Sequence, residues 1–147
     1  MGRLVTAKPL AQLPPIFIAA AVLSAAFLGT LYSFAAPALT ARTSDEAGVR
    51  VVVTPKSYGP DATVWEFGVV MDTHVKPLSE NLTQAAILID GAGRRYQPTG
   101  WQGDAPGGHH RKGVLQFARP PEMPKSIELQ ITGVGGVAMR TLRWEVE

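Results

Sequence analysis

The chain divides into an apolar N-terminal part and a longer part in which apolar and polar residues alternate. Residues 9–41 carry no charged side chain, and residues 16–36 form a run of 21 residues interrupted only by three hydroxyl side chains and one tyrosine. A helix of that length spans about 30 Å, the thickness of a bilayer core, and it satisfies its own backbone hydrogen bonds. Pro14, Pro15 and Pro37 flank the run, where helix ends tolerate proline. The pattern therefore predicts one transmembrane helix.

Beyond residue 48 the helical period disappears and alternation with a period of two begins, as in half-buried strands. Val49, Val51 and Val53 alternate with more polar neighbours, and similar patterns recur about every ten residues, separated by glycine- and proline-rich turns. The pattern predicts about seven strands, at residues 49–54, 63–71, 84–90, 94–97, 113–118, 126–132 and 137–146. The predicted fold class is all-β, an antiparallel β-sandwich of immunoglobulin-like or cupredoxin-like type, with a small barrel as the alternative.

The distribution of charged residues along the chain agrees with export of the strand-rich part. Lysines and arginines number 14 and acidic residues 12, and the whole excess comes from Arg3 and Lys8, which precede the apolar run. This is the positive-inside pattern of a single-pass protein and not a nucleic-acid footprint. We therefore expect a cytoplasmic segment at 1–13, a transmembrane anchor or uncleaved signal at 14–38, a linker at 39–48 and a periplasmic or extracellular domain at 49–147.

A cleaved signal peptide is the alternative to a retained anchor. Residues 36–38 have the small side chains of a cleavage site, although the apolar region of a signal peptide is usually only about 7–15 residues long. The chain contains no cysteine, which excludes disulfides, thiolate metal sites and cysteine nucleophiles. An exported domain of this size must then be stable through its apolar core.

Residues 98–113 form the one long stretch without strand alternation, and stretches of this kind often carry function. This stretch contains His109 and His110, and His74 follows the second predicted strand. Imidazole ligates copper and zinc, so His74, His109 and His110 are a candidate metal site. The competing interpretation is that one histidine packs against Trp101 or binds an aspartate and fixes the loop.

Trp101, Asp104 and Arg111 in the same stretch are candidate residues for binding a protein partner. An exposed tryptophan could contact such a partner directly, whereas a buried one would hold the loop in place. Two basic pairs, 94–95 and 111–112, could also meet and accept a phosphate or an acidic partner. The sequence contains no nucleophile elbow and no P-loop, so no enzymatic activity is predicted.

Two motifs resemble those of a family of small exported bacterial and archaeal proteins. The first is Asp-Thr-His at 72–74, and the second is Gly-Gly-His-His-Arg-x-Gly-Val-Leu-x-Phe at 107–117. The resemblance implies one signal or anchor helix followed by one β-sandwich, and it covers most of residues 48–147. It also implies that His74, His109 and His110 belong to recurring motifs.

Two functional hypotheses follow. The first is a non-enzymatic, membrane-anchored accessory or protein-interaction subunit of an envelope complex. The second is an extracytoplasmic copper- or zinc-binding or delivery domain that uses the three histidines. The distance between their imidazole rings distinguishes the two.

Overall fold

A computed structural model describes Gly2 and residues 38–146, and residues 38–146 form a domain of two β-sheets. The regular elements in chain order are β1 Arg42–Glu46, β2 Val49–Ser57, β3 Val64–Thr73, the one-turn helix α1 Leu82–Ala85, β4 Ala86–Asp90, β5 Arg95–Tyr96, β6 Pro98–Gly103, β7 His110–Ala118, β8 Ser126–Thr132, a 3-10 turn at Val134–Gly136, and β9 Met139–Glu145.

All strand pairs are antiparallel. One sheet has five strands in the order β1-β2-β3-β7-β6, and the other has four in the order β5-β4-β8-β9. The long hairpin of β2 and β3 continues directly into the β3–β7 ladder, which pairs Val64 with Ala118 at one end and Asp72 with His110 at the other. This ladder therefore places the end of β3 and the start of β7 side by side.

The inward faces of the two sheets share one apolar core. The alternation predicted for Val49, Val51 and Val53 is confirmed. The alternating residues of β2, β3, β7, β8 and β9 are almost completely buried, namely Val49, Val51, Val53, Trp65, Phe67, Val69, Met71, Leu115, Phe117, Ile127, Leu129, Ile131, Leu142 and Trp144. The rings of Phe67 and Phe117 meet edge to face at 5.6 Å between centroids, a favourable aromatic geometry. A β-sandwich, with almost no helix among residues 38–146, is thus confirmed.

The five-stranded sheet begins earlier than the sequence pattern predicts. Arg42–Glu46, within the segment expected to be a linker, pairs with β2 as an edge strand. Only Ser44 of this strand is buried, so no apolar alternation marks it. The fully buried Arg140 fixes it instead, because its guanidinium donates hydrogen bonds to Ser44 Oγ at 2.8 Å and to the Glu46 carbonyl at 2.9 Å.

The stretch 98–113 is also more regular than predicted. It contains β6, the loop 104–109 and the first residues of β7, so Trp101 lies in a strand. Gly103 and Gly113 are paired across β6 and β7, and a side chain on either would collide with the opposite backbone. These glycines hide the alternation because the close approach of the two strands leaves no room for a side chain. Together with β1, β6 raises the described strand count from the predicted seven to nine.

The sandwich has two ends with different contents, and β3, ten residues long, spans the roughly 30 Å between them. The histidine end consists of the β1–β2 turn at 47–48, the segment 74–81 and the loop 104–109. The Tyr58 end consists of residues 38–41, 58–63, 91–94 and 119–125. The strand registers place these segments at opposite ends of the sandwich.

The transmembrane helix predicted within residues 14–38 lies outside the described residues, apart from Ala38. Among the residues that are described, no helix is long and apolar enough to cross a bilayer. The anchor and the cytoplasmic segment 1–13 therefore stay predictions.

Candidate functional site at the histidine end

Two of the three histidines come together because β3 and β7 are neighbours in register. Asp72 and His110 are cross-strand partners, and His110 Nδ1 lies 2.6 Å from a carboxylate oxygen of Asp72. His74 follows β3 directly, and its ring stands edge-on to that of His110 with 6.1 Å between centroids. The His110 side chain is 70% exposed, so an acid-oriented imidazole and a second imidazole lie side by side at the surface.

This pair of rings continues a row of charges across four strands. The registers place Asp45 beside Arg50, Arg50 beside Asp72, and Asp72 beside His110. Cross-strand partners share a face of the sheet, and opposite charges in that position attract one another. The row therefore gives the histidine end an alternating pattern of acidic and basic groups on the outer face of the five-stranded sheet.

The backbone around the histidines is fixed by reciprocal hydrogen bonds between two loops. Leu78 N donates to the Gly108 carbonyl at 2.9 Å, and Gly107 N donates to the Leu78 carbonyl at 2.8 Å. Thr73 N donates to the His109 carbonyl at 2.9 Å. Gly107 and Gly108 have φ values of 118° and 71°, which glycine adopts without steric cost. The Gly-Gly sequence therefore lets the loop fold back onto Leu78.

Arg111 lies beneath these loops and joins them. It is only 2% exposed, and its guanidinium donates to the carbonyls of Glu80 at 2.6 Å and Asp104 at 3.2 Å. Burial lowers the pKa of Arg111, and the nearby carboxylates of Glu80 and Asp104 oppose that shift. A buried guanidinium needs acceptors on every side, so Arg111 fixes the two loops to one another.

Trp101 and Asp104 complete this internal cluster. The Arg111 guanidinium carbon lies 5.3 Å from the centre of the Trp101 ring, within cation–π distance. Trp101 Nε1 donates to the Asp104 carbonyl at 2.9 Å, and the Asp104 carboxylate accepts from Lys112 N at 2.9 Å. Trp101 therefore holds the loop in place, which is the second of the two roles considered for it.

The predicted site residues thus separate into two groups. The rings of His74 and His110 are neighbours. His109 is held instead through its backbone, because its carbonyl accepts a hydrogen bond from Thr73 N. The interpretation that a histidine binds an aspartate is confirmed for His110 and Asp72. Trp101, Asp104 and Arg111 bind one another, and Arg111 is buried, so its guanidinium is not the surface group that partner binding requires. In the described part of the chain, no group of three or more histidine, aspartate or glutamate side chains is arranged to hold a metal ion.

The two basic pairs do not meet. Arg94 belongs to the Asp90 hairpin of the four-stranded sheet, where it binds Asp90 and Glu122, while Arg111 lies inside the histidine end. A shared anion site between them is therefore excluded by the fold. The separation arises because residues 94–95 and 111–112 belong to different sheets.

Asp90 is a buried acid that the sequence indicated only as part of a turn. Its carboxylate accepts hydrogen bonds from Ala92 N, from Arg94 N and Nε, and from the Tyr96 hydroxyl, at 2.7 to 2.9 Å. Burial on its own raises the pKa of Asp90, but these four donors together outweigh it and the pKa is lowered. Asp90 therefore stabilises the β4–β5 hairpin at the Tyr58 end, away from the histidines.

Comparisons with protein-family models, with curated proteins and with solved structures give no match to this chain.

Proposed function

We propose that this chain is a non-enzymatic, single-pass membrane protein whose β-sandwich, of immunoglobulin-like or cupredoxin-like type, lies outside the cytoplasm and acts as an accessory or protein-interaction subunit of an envelope complex. The uncharged run 9–41, preceded by Arg3 and Lys8, supports the anchor and its orientation. The resemblance to small exported β-sandwich proteins belongs to the same proposal.

The outer face of the five-stranded sheet carries the interaction part of the proposal. Val52 and Val70 are cross-strand partners there, and Val70 is 44% exposed. Beside them lies an open depression of about 420 Å³ bordered by Val114 and Lys112. Gly68 is the cross-strand partner of Val114, and its lack of a side chain contributes to the depression. The surface therefore offers a hollow with apolar walls and a charged rim that contains Lys56, Lys112 and Asp104.

This hollow is continuous with the histidine end. Val70 and Lys112 form the cross-strand pair two register positions from Asp72 and His110, on the same face of the sheet. One surface thus combines an apolar hollow with the alternating charges described above. Protein interfaces commonly consist of an apolar centre and a polar rim, so we assign this face to the partner.

Site-specific crosslinking in the native host tests the proposal. A photo-crosslinking residue at position 70, on the proposed face, should give a discrete crosslinked product in the membrane fraction. The matched control is position 143, on the exposed face of the other sheet, where the Arg143 side chain is 65% exposed. Equal products from both positions, or none from position 70, would contradict the assignment.

A metal-binding function is the second candidate, and the arrangement of Asp72, His110 and His74 favours it. A carboxylate that accepts from one ring nitrogen and leaves the other free is the usual support of a metal-bound histidine. Metal–nitrogen distances of about 2 Å allow two neighbouring rings to share one copper or zinc ion after small rotations. His74 and His110 would be ligands, and His109 or a group from outside the chain would complete the set.

Metal titration of the full-length protein in detergent tests this candidate. Stoichiometric binding of Cu(I), Cu(II) or Zn(II) should be lost in His74→Ala and His110→Ala. Asp72→Asn should weaken it by about 10- to 100-fold, as is common for supporting carboxylates. Asp45→Asn changes an acid of the same row at the other side of Arg50 and is the matched control. Absence of binding by the wild-type chain would eliminate the candidate.

A further inference from the structure

Residues 39–42, close behind the apolar run, are bound to the sandwich. Leu39 packs against the edge of the core, and its N–H donates to the Tyr58 hydroxyl at 2.7 Å. The Trp144 indole N–H donates to the Thr40 carbonyl at 2.7 Å, and Arg42 Nε donates to the Arg143 carbonyl at 3.1 Å. The N-terminal strand of the domain is therefore fixed at the Tyr58 end from Leu39 onward.

Very little chain separates this fixed point from the apolar run. Only residues 37 and 38 lie between Ala36, the last residue of the run, and Leu39. Three successive Cα–Cα steps span at most about 11 Å. If the apolar run ends at the hydrocarbon boundary, this segment keeps Leu39 within about 11 Å of that boundary, just beyond the headgroup region of about 5–8 Å.

The surface at this end suits a lipid interface. Met123 is 42% exposed beside a hollow of about 420 Å³, which Tyr58, Pro60 and Val146 also line. Lys56 borders the same hollow. Tyrosine, exposed apolar groups and long basic side chains are the groups that membrane interfaces accept.

Charge alone does not decide the contact. Arg119 donates to the Pro60 carbonyl at 3.1 Å at this end, but Asp61 is exposed close by. The short connection and the exposed apolar groups are the features that favour the lipid surface. The contact should therefore form on zwitterionic phospholipid as well as on anionic phospholipid.

We propose that the Tyr58 end of the sandwich rests on the phospholipid headgroups, with Met123 at the contact, and that the histidine end points about 30 Å away from the membrane. This inference rests on the proposed membrane anchor. It adds an orientation: the lipid contacts one end, and His74, His110 and Asp72 face the aqueous compartment.

Single-cysteine labelling tests the orientation directly, because the chain has no cysteine of its own. The full-length protein is reconstituted into phosphatidylcholine vesicles as Met123→Cys or Val75→Cys. Val75 is the matched control, since it is 62% exposed and follows His74 at the histidine end. Each variant carries a thiol-linked fluorophore, and some vesicles contain a phospholipid with a nitroxide quencher on its headgroup.

The proposal predicts loss of fluorescence at position 123 and little change at position 75. Equal quenching at both positions, or stronger quenching at position 75, in protein that floats with the vesicles would overturn the orientation and leave the anchor standing. Failure of both variants to float with the vesicles would overturn the anchor, and the orientation with it. Equal thermal unfolding of the two variants and the wild type confirms that both labels report on the folded domain.

Discussion

Replacing Arg111 by methionine should destabilise the histidine end, because this arginine joins its two loops. The change removes the hydrogen bonds to the carbonyls of Glu80 and Asp104 at 2.6 and 3.2 Å, and it leaves both carbonyls without that donor. Bonds from a charged donor contribute about 1.5–3 kcal/mol each. Methionine retains most of the buried volume and avoids the cost of burying a charge, which offsets part of the loss.

The expected net loss is about 3 kcal/mol of unfolding free energy. For a domain of this size, that lowers Tm by roughly 12 °C. The measurement is thermal and urea unfolding of residues 38–147, followed by circular dichroism. Arg143→Met is the matched control because the Arg143 side chain is 65% exposed and pairs with Glu128 at the surface. Such a pair is worth at most about 1 kcal/mol.

Hydrogen exchange shows whether the loss occurs where the structure places it. The amides of Leu78 and Gly107, which bond the two loops together, should exchange faster in Arg111→Met. The exchange rates of the core amides of β8 should rise only as much as the loss of global unfolding free energy requires. If Arg111→Met and the Arg143→Met control unfold within about 0.5 kcal/mol of each other, Arg111 does not hold the loops together and the account of the site is refuted.

Three further predictions concern the sandwich itself. The pKa of Asp90 is lower in the folded chain than in the unfolded chain, where it is near 4. Its contribution to the free energy of unfolding is therefore fully present above the unfolded pKa and is lost as pH falls through the folded pKa. Asp90→Asn should lower stability at pH 7 and flatten the acid limb of a Tm–pH profile. Arg140→Met should cost about 3 kcal/mol in urea unfolding, through loss of its bonds to β1, and an unchanged midpoint would contradict the role given to it. Gly113→Ala places a Cβ about 2.5 Å from the Trp101 ring; the resulting overpacking should lower unfolding free energy by about 1–3 kcal/mol, and equal stability would show that β6 can shift.

The strands that line the core could be predicted because their buried positions are apolar and alternate with polar, exposed positions. Trp65 and Phe67 are spaced two apart, as are Val49, Val51 and Val53 of β2, and the structure buries all five. β1 could not be found in this way. Its five residues bury only Ser44, and pairing with β2 and the bonds from Arg140 hold it in place.

The candidate site could be predicted only in part. The sequence indicated His74 and His110, but their meeting depends on the β3–β7 register, which alternation does not determine. The burial of Arg111 did leave a signal. Counting back by twos from Phe117 and Leu115 puts Arg111 on the inward face of β7. Its charge suggested a surface position, whereas backbone carbonyls from two loops satisfy it inside the domain.

The anchor with its exported domain is the central claim, and labelling in intact cells tests it most directly. Val75→Cys supplies one exposed thiol in a chain that otherwise has none. A membrane-impermeant maleimide should label it without lysis, in protein that stays in the membrane pellet after an alkaline wash. Labelling only after lysis, or protein released by the wash, would contradict the account.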